Sequence, residues 1–197
     1  MKKKYEIITE IKDIKLEDNI EFELLEISNI MDNMDYPGIR IHMNARLERL
    51  VVPIKIDIST GDVITPKEIV YHYPLLLENR TINLWSYNLE TVLAEKLQTI
   101  LSRSILNTRM RDFYDLYEII QKMKFSWNIY KDAFDATCRR RQTVFTKEEI
   151  KLELQNLHSS IQMEEFWNQF KYKNYFVEDI EYSKMLSCLS EAILRIS

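Results

Sequence analysis

Apolar residues recur at helical spacing through the middle of the chain. Leu89, Val92, Leu93, Leu97, Ile100 and Leu101 fall on one stripe, and Leu116, Ile119 and Met123 on another. Leu89 to Met123 therefore predicts two amphipathic helices, broken near Leu106–Asn107, with Asn107 or Thr108 capping the second. Upstream the period changes to two. Ile39, Ile41, Met43, Ala45 and Leu47 alternate with polar residues, and after a turn at Glu48 and Arg49 so do Val52, Ile54, Ile56 and Ile58. This is the pattern of a β-hairpin with one face on the core. A turn at Tyr36-Pro37-Gly38 precedes it. Ile20–Ile27, Ile69–Tyr73 and Thr81–Trp85 are further strand candidates, and Ile7, Ile8, Ile11 and Ile14 predict a short N-terminal helix. Downstream, Trp127–Arg140, a segment opened by a Thr146/Glu149 capping box, Glu164–Tyr172 and Ile180–Ile196 all read as helices. The expectation is an α+β fold: a small antiparallel or mixed sheet within residues 1–88, then a helical half over 89–197, with a soft boundary near Asn88.

Some charges do not obey these patterns. At about 100° per residue, Lys96 and Arg103 lie about 20° apart on the first helix, inside its apolar stripe. On the second helix Arg111, Asp115, Glu118 and Lys122 make an ordinary polar arc of (i, i+4) pairs, whereas Asp112 sits towards the apolar side. One helix thus offers misplaced cations and the next a misplaced anion. A buried structural ion pair explains them, and so does a site for an anionic ligand such as a phosphate. Lys96 and Asp112 are expected to face one cavity at the junction of the two halves. On the second strand of the hairpin Lys55, Asp57 and Ser59 point to one side. Arg139, Arg140 and Arg141 suit a helix C-terminus or a phosphate contact. Phe166, Trp167 and Phe170 suit packing better than base stacking, because little basic sequence interleaves them.

Composition narrows the chemistry. The 197 residues carry a net charge of −4, so any contact with nucleic acid must use a local patch. Gly38 and Gly61 are the only glycines, which excludes the glycine-rich phosphate loops and the nucleophile elbow. The three histidines are scattered and the two cysteines form no ligand motif, so a zinc site is not expected. Two cysteines and no signal peptide point to a reducing cytoplasm, and no apolar run reaches membrane-spanning length.

The blocks LAEKLQTILSR and NTRMRDFYDLY, with IKIDISTGD upstream at Ile54 to Asp62, resemble the AbiEii/AbiGii abortive-infection toxins, a family of nucleotidyltransferase fold. The three blocks stand in the family's order over roughly residues 36 to 143. The resemblance implies a toxin of a toxin–antitoxin or phage-defence system. It implies transfer of a nucleotide from an NTP to an acceptor, tRNA in some relatives, with Mg²⁺. It makes Lys96 a phosphate grip, Asp112 a base or orienter, Asp57 a metal ligand, and Lys55, Arg103 and Arg111 secondary substrate contacts. The family also carries an early Gly-Ser pair followed by Asp-x-Asp, and neither occurs here. The chain therefore resembles the later two-thirds of such an enzyme. On that view it is inactive alone and self-associates or binds a separate polypeptide supplying the missing segment, through the strands at Ile39–Leu47 and Val52–Ser59 and the Ile7–Ile14 helix. The alternative is a non-catalytic interaction protein that binds an antitoxin or such an N-terminal partner.

Overall fold

The computed structural model describes residues 2–30, 38–59 and 61–196, and for residues 2–4 the backbone alone. Of the expected turn at Tyr36-Pro37-Gly38, only Gly38 lies within the described residues. The chain packs as two compact units, Met1–Asp62 and Val63–Ser197.

The first unit joins helix α1 (Lys2–Lys12) to a three-stranded antiparallel meander, β1 (Glu21–Ile30), β2 (Gly38–Leu47) and β3 (Leu50–Ile58), in the order β1-β2-β3. The period-two alternation of β2 works as expected. Ile39, Ile41 and Met43 are buried, and Ile8 of α1 with Phe22, Leu24, Ile27 and Ile54 packs against them. The β2–β3 turn is the two-residue one expected, with Leu47 opposite Leu50 and Glu48 at φ 51°. Gly38 is required by close approach: a Cβ there would stand 2.8 Å from the carbonyl oxygen of Ile58. Two expectations change. β2 is the central strand, paired on both edges, so it is not left bare. On β3 only Ile54 is partly covered, while Val52, Ile56 and Ile58 stay exposed. Alternation identifies the face of a strand but not what covers it.

The second unit opens with an antiparallel hairpin, β4 (Ile69–Pro74) and β5 (Thr81–Ser86), and continues with helices α2 (Leu89–Arg103), α3 (Met110–Lys122), α4 (Trp127–Arg140), α5 (Lys147–Ser159), α6 (Ile161–Lys173) and α7 (Tyr182–Leu194). The change from strand to helix at Asn88 falls inside this unit. The Asn88 side chain accepts from the Thr91 N–H at 2.8 Å, capping α2, and its amide donates to the carbonyls of Thr65 and Lys67 at 2.7 and 3.1 Å. These bonds tie the segment before β4 to the start of α2.

The helical core follows the predicted stripes. Leu93, Leu97 and Ile100 of α2 are fully buried, as are Phe113 and Leu116 of α3 and Met185 and Leu189 of α7. Large side chains with a polar tip are satisfied. Trp167 donates to the carbonyl of Ile180 at 2.9 Å, and the Tyr182 hydroxyl donates to that of Leu157 at 2.7 Å. The Thr146/Glu149 capping box opens α5 as read from the sequence. No helix among the described residues is long and apolar enough to cross a membrane.

Candidate functional site

α2 and α3 meet through a short 3₁₀ turn at Ser104–Leu106, where the apolar spacing breaks. The expected cap is displaced by a residue or two. Arg109 occupies the N-cap position of α3 without a side-chain bond, and Asn107, fully buried, accepts from the Arg109 N–H at 3.0 Å instead. Neither Asn107 nor Thr108 therefore caps the helix itself. The Asn107 amide nitrogen has no partner among the described residues.

The two misplaced charges come together. The Lys96 ammonium lies 3.1 Å from Asp112 Oδ1 and 2.7 Å from Asp115 Oδ2, with the three side chains only 19, 18 and 25% exposed. Asp112 and Asp115 sit three apart on α3 and so share a face. Asp112 lies in the first turn, where the free N–H groups and the helix dipole favour a carboxylate. Asp115 was hidden in the polar arc as a partner of Arg111, yet that contact is 3.8 Å and exposed, and the ammonium is nearer. The signal that could have found it is the (i, i+3) spacing from Asp112.

Lys96, Asp112 and Asp115 line a cavity of about 740 Å³. Arg109 and Arg111 at the start of α3 and Lys173 at the end of α6 line it too, so cations outnumber carboxylates. Phe166, Gln169 and Phe170 of α6 complete the lining. The cavity is walled by α2, α3 and α6, all in the second unit. Arg103 shared the stripe of Lys96, but α2 ends there; it is exposed and not part of the lining. Arg141 is committed elsewhere. It donates to Gln98 and, at 3.1 Å, to Thr99, which pins the end of α4 to α2.

Lys55 and Asp57 lie on β3 of the first unit. Arg40 grips Asp57 with two hydrogen bonds of 2.7 and 2.8 Å across the β2–β3 pair. That guanidinium holds the Asp57 carboxyl below the usual carboxylate range, helped by the nearby charges of Lys55 and His42. A magnesium ion seeks several oxygen ligands and few cations beside them. Among the described residues no group of three or more His, Cys, Asp or Glu could hold a metal. Among the described residues, Asp57 and its neighbours therefore do not make a Mg²⁺ site.

Helices α2 and α3, with their lysine and aspartates on one cavity wall, are the segments that resembled a nucleotidyltransferase. The match reaches well beyond them: residues 1–185 match the family of the nucleotidyl transferase AbiEii toxin, type IV toxin–antitoxin system, and the protein belongs to that family. No curated protein and no solved structure matches it.

Proposed function

We propose that the cavity between α2, α3 and α6 binds the triphosphate of an NTP and that the protein transfers the nucleotide to an acceptor such as tRNA. The observation that carries this is a lysine held by two carboxylates on the wall of a net-cationic cavity. Phosphoryl-type transfer asks a protein mainly for positioning and for positive charge where negative charge gathers. In this reading the acceptor hydroxyl oxygen bonds to the α-phosphorus as the bond to the bridging oxygen breaks. Pyrophosphate leaves against Lys96, Arg109 and Arg111. The hydroxyl proton passes to Asp112, the carboxylate farther from the ammonium. Asp115 then keeps Lys96 oriented. Arg103 is not part of the cavity lining, and Lys55 and Asp57 belong to the first unit. The free thiols Cys138 and Cys188 accord with a reducing cytoplasm.

A second reading is a non-catalytic member of the family that binds a nucleotide or an antitoxin. The observation favouring it is that Arg40 occupies Asp57 and that no metal-holding carboxylate group occurs among the described residues. One experiment separates the two. The purified chain is incubated with labelled NTPs, Mg²⁺ and total tRNA. Label transfer that is lost in Lys96→Ala is the expected result; NTP binding without transfer would favour the second reading.

A further inference from the structure

The cavity has two unlike walls. α2 and the start of α3 present charge, whereas α6 presents Phe166, Gln169, Phe170 and Lys173. These four positions follow the i, i+3, i+4, i+7 spacing of a single helix face. The adjoining flank of α6 enters the core, through Met163 and Trp167, both fully buried. Phe166 and Phe170 are held between core and cavity. Phe170 packs against Trp167 with ring centroids 5.8 Å apart and against Tyr114 at 6.3 Å, so it is braced from behind while contributing to the lining. Phe166 and Phe170 thus stand where the core meets the cavity, and Gln169 and Lys173 carry the same lining face out to solvent.

We infer that this face of α6 is a nucleobase platform, on which the base of the bound NTP lies against Phe166 and Phe170 with its polar edge towards the Gln169 amide. The inference rests on the triphosphate reading, since the cations at Lys96, Arg109 and Arg111 fix which end of the nucleotide faces α3. The cavity volume is in the range that pockets for such ligands occupy. Every base offers an aromatic face, so the rings supply affinity, while Gln169, which both donates and accepts, is placed to discriminate between bases. Lys173, one turn beyond Gln169, adds its charge at the same wall.

The test compares two probes by calorimetry: inorganic tripolyphosphate, which has the charge but no base, and each of ATP, GTP, CTP and UTP. At least one NTP is expected to bind about 5- to 100-fold more tightly than tripolyphosphate, the contribution of one stacked base. Phe170→Leu keeps an apolar group against Trp167 and Tyr114 and is expected to collapse that ratio towards one while leaving the tripolyphosphate affinity in place. Gln169→Ala is expected to level the differences among the four NTPs. Arg111→Glu, on the charged wall, should weaken all probes alike. If tripolyphosphate binds and no NTP binds more tightly, or if the ratio survives both Phe170→Leu and Phe166→Leu, the platform is overturned and the triphosphate reading stands. If tripolyphosphate itself does not bind, both fail.

Discussion

Asn88 is the residue whose removal tests most directly how α2 is held. Its side chain makes three hydrogen bonds from a position only 7% exposed: one capping α2 at Thr91, and two holding the carbonyls of Thr65 and Lys67. A lost N-cap costs about 1 kcal/mol. Each of the other two bonds has a net worth of about 1 kcal/mol, with the Thr65 carbonyl keeping its 3.3 Å bond from the Thr91 hydroxyl. Asn88→Ala is therefore expected to destabilise the second unit by about 3 kcal/mol in all. Asn88→Ser isolates the parts. Serine caps as well as asparagine but is too short to reach both carbonyls, so about 2 kcal/mol should be lost. For a chain of this size each kcal/mol moves the thermal midpoint by roughly 2–4 °C. Melting followed by circular dichroism at 222 nm, which reads the helices, should show Ala below Ser and Ser below wild type. Superimposable melting of Asn88→Ala and wild type would refute the account. So would a serine variant as unstable as the alanine one, because the cap would then contribute nothing.

Three further outcomes follow from the same contacts. In a double-mutant cycle of Lys96→Met with Asp115→Asn, the coupling measured by urea unfolding should be about 1 kcal/mol or more, above that of the exposed Arg111–Asp115 pair, whose cycle should give close to zero; equal couplings would show that the partial burial of Lys96 does not matter. Asp57 has its folded-state pKa held below its unfolded one by Arg40, so the stability it contributes is present above the unfolded value and is lost as pH falls through the folded one. Amide exchange in β2 should therefore be faster in Asp57→Asn than in wild type at neutral pH, and the two should converge in acid below the ordinary carboxylate range; a difference that persists there would reject the ion pair as its cause. Arg141→Met should loosen the end of α4 from α2, seen as faster exchange at Thr99 and Ser102, with the tripolyphosphate affinity of the cavity unchanged; a lost affinity would give Arg141 a part in binding.

Much of the helical unit was legible from periodicity, because each helix buries one stripe and few tertiary demands override it. The displacement of Lys96 and Asp112 from their polar arcs was legible for the same reason, and the structure pairs them. Arg103 had the same phase but a different fate. It stands in the last turn of α2, before Ser104 turns the chain at φ 49°, so its side chain reaches solvent. Asp115 was missed because (i, i+4) spacing to Arg111 explained it without reference to another helix. That α6 lines the cavity was not legible: a hydrophobic stripe records that a face leaves water, and Phe166 and Phe170 do so whether they face a core or a cavity. The bonds from Asn88 to Thr65 and Lys67 join residues over twenty positions apart, a distance no local pattern encodes.

The two walls of the cavity also differ in how soon the chain can bring them together. Lys96 and Asp112 are 16 residues apart, and the loop between them is little more than one helical hairpin. Phe170 enters from beyond α4 and α5, over seventy residues after Lys96. Loop-closure entropy grows with the logarithm of loop length, so docking α6 on the unfolded remainder costs roughly 1 kcal/mol more than closing the α2–α3 pair. Local contacts also form faster than distant ones. The charged wall thus belongs to the part of the chain that assembles early, and a nascent chain reaching only to α4 already carries Lys96, Asp112 and Asp115 without the wall that faces them. The timing of the cavity's completion is therefore set by α6, which is synthesised after both helices of the charged wall.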